Sequence, residues 1–247
     1  MNKLNIAAAY KSAWRLTKEH FIVSAGLILA YLAISFFLGL FVSYDATGVF
    51  IYLLSIAVTL IWQLGIIRIS IDAVDGEAPR FGAFQESLPR MLNFIIFNII
   101  TLAFYVISSV IIILVGALSC NIPLTTLASA SVEAMATIYM WIIIAFIPLI
   151  YISIRLFFAP YLLVDRNMGA IEAIKMSWKA TETMQGKIFL FILFNLLFCI
   201  LGIICFVVGI FVTYMLLIYA SASLYRQVFP SGIQDPLLTE DANVVIE

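Results

Sequence analysis

Few side chains in this 247-residue sequence could do chemistry. Its one histidine, His20, stands beside Glu19, and a metal site there would want further Cys, His or Asp ligands close by in sequence; none is present. Asp165 and Glu172 are the carboxylates that could pair as general acid and base. They lie in a charge-rich connection, however, where solvated ion pairing is the commoner role. Cys120, Cys199 and Cys205 make no disulfide framework, and the last two sit in an apolar run as small hydrophobes. Gly-x-Ser-x-Gly, His-Glu-x-x-His and Walker patterns are all missing. The residues therefore predict a chain that is not an enzyme and takes no cofactor or metal.

Two arginines stand out next, because each lies about three residues inside the end of an apolar run. Arg68 has Asp72 one turn on, a spacing that permits an ion pair, and Arg155 could reach back toward Asp165 past a break at Pro160. Near a helix end a long side chain reaches the interface and complements the helix C-terminus, so structural anchoring is the first reading. A lipid-phosphate or anion site is the second, since the guanidinium fork matches phosphate oxygens. The amides Gln63, Asn98 and Asn195 lie within apolar runs, where hydrogen bonding between helices is their ordinary use and lining a cavity the alternative.

The elements that carry these residues follow from composition. Hydrophobic residues make up 64% of the chain and charged residues 11%, too little charge to cover a soluble fold. A helix crosses the ~30 Å hydrocarbon layer in ~20 apolar residues. Runs of that kind occupy about 21–42, 50–70, 94–118 and 138–158, and the uncharged stretch of 37 residues from Ile188 to Leu224 holds two more, at about 188–206 and 210–226, hinged near Gly209. The fold class is thus an all-α membrane protein of six transmembrane helices over 1–228, with Pro148 expected to kink the fourth, and a flexible tail over 229–247. The first 20 residues are too charged for an ordinary secretory signal.

All thirteen basic residues fall in the N-terminal arm, around the second-to-third and fourth-to-fifth connections, and at Arg226; the other three connections hold none. The positive-inside rule then places both termini in the cytoplasm. A net charge of −1 gives no footing for nucleic acid, and leaves membrane lipids as the expected partner, with other membrane proteins or a second copy of the chain open.

Ahead of the first and fifth spans a pattern recurs. Ala9-Tyr10-Lys11-Ser12-Ala13-Trp14-Arg15-Leu16-Thr17 aligns with Ala173-Ile174-Lys175-Met176-Ser177-Trp178-Lys179-Ala180-Thr181. Read as helices at about 5–20 and 168–184, both are amphipathic. Ala7, Tyr10, Trp14, Thr17 and Phe21 share one face and Lys11, Arg15 and Lys18 another, while Ile171, Ile174 and Trp178 oppose Glu172, Lys175, Lys179 and Glu182. Such helices lie in the interface, which makes Trp14, Trp178, Lys175 and Lys179 candidate lipid contacts beside Arg68 and Arg155. A third copy at about 80–92 puts Phe81, Phe84 and Leu88 on its apolar face, with Pro89 interrupting it. Three tandem units of interfacial helix plus hairpin would result, in parallel rather than inverted order.

The run Arg155-Leu156-Phe157-Phe158-Ala159-Pro160-Tyr161-Leu162-Leu163-Val164-Asp165, with Ala170 to Trp178 and Leu224-Tyr225-Arg226, resembles the signature of the YciC-like bacterial membrane proteins. It is also similar to the membrane domain fused to some glycerophosphodiester phosphodiesterases, as are Gly65-Ile66-Ile67-Arg68 and Asp75 to Gly82. The resemblance implies a six-helix domain of the bacterial cytoplasmic membrane without an established activity. Together these readings predict a non-enzymatic membrane domain that associates with lipid or with membrane-protein partners; transport of a small or lipid-like substrate is the alternative.

Overall fold

A computed structural model describes residues 4–41, 46–120, 132–204 and 206–231, and among these every regular element is a helix. Six stretches are long and apolar enough to cross a bilayer, and the chain is a multi-pass membrane protein. The long helices are α2 (Phe21–Leu40), α3 (Ala46–Val74), α5 (Met91–Cys120), α6 (Val132–Arg155), α9 (Gln185–Ile204) and α10 (Phe206–Val228). Shorter ones are α1 (Ile6–Glu19), α4 (Gly82–Ser87), α7 (Ala159–Arg166) and α8 (Ala170–Thr181). Each of α1, α4 and α8 precedes a pair of long helices.

Helix ends are set by local chemistry. The Asn5 side chain caps α1 by accepting from the Ala8 N–H at 3.0 Å. Glu172 accepts from the Gly169 N–H at 3.2 Å at the start of α8. Gly76, at φ +95°, ends α3, and the Glu77 N–H reaches back to the Asp72 carbonyl at 2.8 Å. Pro89 sits in a single 3₁₀ turn, Leu88–Arg90, leading into α5. Pro148 lies inside α6, which runs on to Arg155; the helix ends beyond it, at 156–158, just before Pro160. The expected hinge near Gly209 is displaced, since α9 ends at Ile204 and Gly209 lies inside α10. The tail over 232–247 and the connection over 121–131 fall outside the described residues.

The chain divides into two compact units, Met1–Glu86 with Leu190–Glu247, and Ser87–Phe189. In the first, α3 and α10 run parallel: the Trp62 indole donates to the Tyr214 hydroxyl at 3.3 Å, and about three turns on Arg226 grips Asp75 through two bonds of 2.9 and 2.6 Å. α2 runs the opposite way, joined by a Ser24–Tyr219 hydroxyl pair at 2.7 Å and by Tyr31 stacked on Trp62 at 4.6 Å and 11°. Helix α1 packs mainly on α10. Its start is tied to Gln227 by two hydrogen bonds with Asn5, at 2.7 and 3.0 Å. One turn past its end comes Ser24, bonded to Tyr219.

Phe84 of α4 lies over Gly65 of α3, where any Cβ would occupy the ring, and stacks on Trp62 at 6.0 Å. Gly65→Ala is expected to lower the thermal midpoint in detergent, at a cost of about 1–3 kcal/mol, because ring or helix must shift. Gly26→Ala, with nothing near its would-be Cβ, is the control and should leave the midpoint close to wild type.

In the second unit α5 pairs with α6, and Tyr105 and Ser153 share a hydroxyl bond of 2.9 Å between them. α7 and α8 pack together against α5. Ser177, fully buried on α8, accepts from the Phe158 N–H at 3.2 Å and donates to the Arg155 carbonyl at 2.7 Å. One hydroxyl thereby pairs both polar groups that the break between α6 and α7 would otherwise leave bare.

Candidate functional site

The short helices dock by a face that hydropathy does not disclose. In α1 the buried residues are Ala9, Ala13, Leu16 and Thr17; in α8 they include Ala173, Ser177 and Thr181; in α4 and its end they are Ala83 and Ser87. Small residues at i and i+4 form the docking surface in all three, as small side chains do wherever helix backbones approach closely in membranes. The face expected to be apolar is rotated one residue from this one. Tyr10, Phe84 and Ile174 are half-buried at its edge, while Trp14, Leu88 and Trp178 are exposed by 47%, 44% and 40%. Phe81, expected on the apolar face of the third copy, is exposed as well. In α1 and α8 the tryptophans mark an exposed flank of the helix, not its seat.

Beside them stand cations. Lys11, Arg15, Lys18, Lys175 and Lys179 are all exposed and make no ion pair among the described residues. Lys18 lies over the Trp14 ring with its nitrogen 5.0 Å from the centroid. α1 and α8 thus dock by one face and expose Trp and cations, without an ion pair among the described residues, on the rest of their surface.

The two arginines differ from this group. Arg155 is 7% exposed, with its guanidinium 4.9 Å from the Trp178 ring and 5.2 Å from Tyr151. It donates to the Tyr151 hydroxyl at 3.0 Å and the Trp178 carbonyl at 3.2 Å, and not to Asp165, the partner expected from sequence. Arg155 thus ties the C-terminal turn of α8 to α6 and is buried between them. Arg68 does meet Asp72, at 3.0 Å, with the carboxylate 5% exposed. The other carboxylate oxygen of Asp72 is buried without a hydrogen-bond partner among the described residues. At the same end Arg80 meets Glu77 and Glu86 at 3.2 and 3.5 Å on the exposed surface, where such pairs contribute little.

The three amides are scattered. Gln63 is exposed on the outer side of α3, and the Asn98 amide donates to the Phe94 carbonyl at 2.9 Å within its own helix. Asn195 accepts from the Tyr10 hydroxyl at 2.5 Å, inside an aromatic group formed by Phe191, Phe194 and Phe198. Burial holds the Tyr10 phenol above its ordinary value near 10, so it stays a proton donor at every physiological pH. Trp62 is the organising residue that sequence reasoning missed, and Tyr10, placed on the apolar face of α1, was not connected to Asn195. Trp62 sits in an uncharged run like any other, and the rarity of tryptophan, four in the chain, was its only signal.

Among the described residues no group of three or more His, Cys, Asp or Glu side chains is placed to hold a metal. His20 is half-buried between α1 and α2, and Cys199 is a free thiol exposed on α9. Set against protein-family models, curated proteins and solved structures, the chain matches none of them.

Proposed function

We propose that this protein is a non-enzymatic domain of the bacterial cytoplasmic membrane, with both termini in the cytoplasm, that associates with anionic lipid through α1 and α8. The observation that carries the reading is the set of exposed cations, without an ion pair among the described residues, beside Trp14 and Trp178 on helices docked by their opposite faces. Positive charge confined to one side supports the orientation, and the resemblance to YciC-like proteins agrees with the location. Transport finds less support, because Gln63 faces outward and the Asn98 and Asn195 amides are engaged within the fold.

Lipid analysis of the intact protein, extracted with its surrounding membrane in polymer-bounded discs, tests this. Wild-type discs should be enriched in anionic phospholipid over the bulk membrane. Replacing Lys11, Arg15, Lys18, Lys175 and Lys179 together by glutamine should return the composition to that of the bulk. Equal enrichment in the two would overturn the proposal.

A further inference from the structure

In the first unit the arginines outside α1 are each matched to a carboxylate: Arg68 to Asp72, Arg80 to Glu77 and Glu86, and Arg226 to Asp75. Lys11, Arg15 and Lys18 are exposed on one face of α1 and have no such match among the described residues, although Glu19 stands beside them. The same helix begins where α10 ends, since Asn5 and Gln227 share hydrogen bonds of 2.7 and 3.0 Å. Just beyond that junction, residues 232–247 carry Asp235, Glu240, Asp241 and Glu247 and no Lys, Arg or His. Lys11 and Arg15 lie about 9 and 15 Å along α1 from Asn5. The chain from Ser231 to Glu240 spans up to about 30 Å, enough to round a helix about 10–12 Å across and meet both.

We infer that residues 232–247 are a tethered acidic ligand of α1: Glu240 and Asp241 seat against Lys11, Arg15 and Lys18, and anionic headgroups must displace them. Charge complementarity chooses this occupant. The segment carries acids and no bases, and these cations are the ones left without a carboxylate in the unit to which it is joined. Attachment one turn past Gln227 favours it over a segment of another molecule, because a short tether sets a local concentration of about the millimolar range. The inference rests on the proposed function for the lipid that competes, and adds to it a control on α1 from within the chain.

Carbodiimide cross-linking of the full-length protein in lipid discs, read by peptide mass spectrometry, tests the contact, because the reagent joins a carboxylate to an amine only where they touch. In phosphatidylcholine discs Glu240 or Asp241 should link to Lys11 or Lys18, and in phosphatidylglycerol discs the yield should fall about tenfold. Glu240→Gln with Asp241→Asn, which alters no described helix, should raise the phosphatidylglycerol retained in native mass spectrometry several-fold. The rise should vanish when Lys11, Arg15 and Lys18 are glutamine as well. No link in phosphatidylcholine would overturn the inference and leave the proposed function standing. So would links mainly to Lys175 or Lys179, or between isotopically heavy and light copies. Unchanged retention in the tail variant would overturn the competition. Equal yields in the two lipids would count instead against lipid association through α1, and so against the proposed function.

Discussion

Trp62→Ala is expected to cost about 3 kcal/mol and to release two neighbouring helices together. The indole is 7% exposed and joins three partners to α3: Tyr31 of α2 stacked at 4.6 Å, Phe84 of α4 at 6.0 Å, and Tyr214 of α10 through its N–H. In a bilayer the helices remain inserted when the fold loosens, so the loss is of packing and of one hydrogen bond, not of transfer from water. A cavity between three helices collapses poorly, which sets the size of the effect. Trp62→Phe keeps a ring for Tyr31 and Phe84 but removes the donor to Tyr214, and should cost about 1 kcal/mol more than a volume-matched control. Thermal unfolding in detergent, followed by gel filtration, checks the series. Equal midpoints for the two variants would show that ring packing contributes nothing beyond the hydrogen bond.

Arg155→Ala is expected to cost a comparable amount in the second unit, about 3 kcal/mol, from a charged hydrogen bond to a carbonyl and two desolvated cation–π contacts. Its readout is local. With the guanidinium gone, α8 keeps the Ser177 bond to the residue-155 carbonyl but loses the side-chain tie at Trp178, which should become more accessible to an aqueous quencher. Arg155→Lys keeps the charge but cannot place one donor at Tyr151 and another at the Trp178 carbonyl, so it should rescue only part of the loss. A full rescue by lysine would assign the effect to charge alone. Unchanged Trp178 quenching in Arg155→Ala would refute the tie.

These expectations show how differently the parts of the molecule were legible. Hydropathy found six long apolar helices, because a bilayer sets a minimum length for every span. It could not locate the turn between α9 and α10, since a change of direction inside an uncharged stretch leaves no trace in composition and Gly209 was the one breaker in view. The Arg68–Asp72 pair was readable because it is local, four residues apart on one helix. Arg155 anchors structure as expected, but its partner differs from Asp165, because Trp178 lies 23 residues away and presents a backbone carbonyl, which no side-chain pattern records. The amphipathic helices were found by their tryptophans, yet the docking face was missed: alanine, serine and threonine contribute by permitting close approach, and hydropathy gives that property no weight.

The hydrogen bonds that join Asn5 to Gln227 close a separation of 222 residues, and most of what α1 rests on is α10. On a ribosome adding roughly 5–20 residues per second, α1 enters the membrane interface some 10–45 s before its support exists. The segment from Ser87 to Phe189, by contrast, is continuous and can pack as soon as it is inserted. Biogenesis therefore has a built-in order: the middle of the chain matures first, and the small-residue face of α1 waits uncovered until the last span arrives. During that wait α1 has only its smaller contacts with α2 and α3, and insertion of α10 is the event that completes its seat.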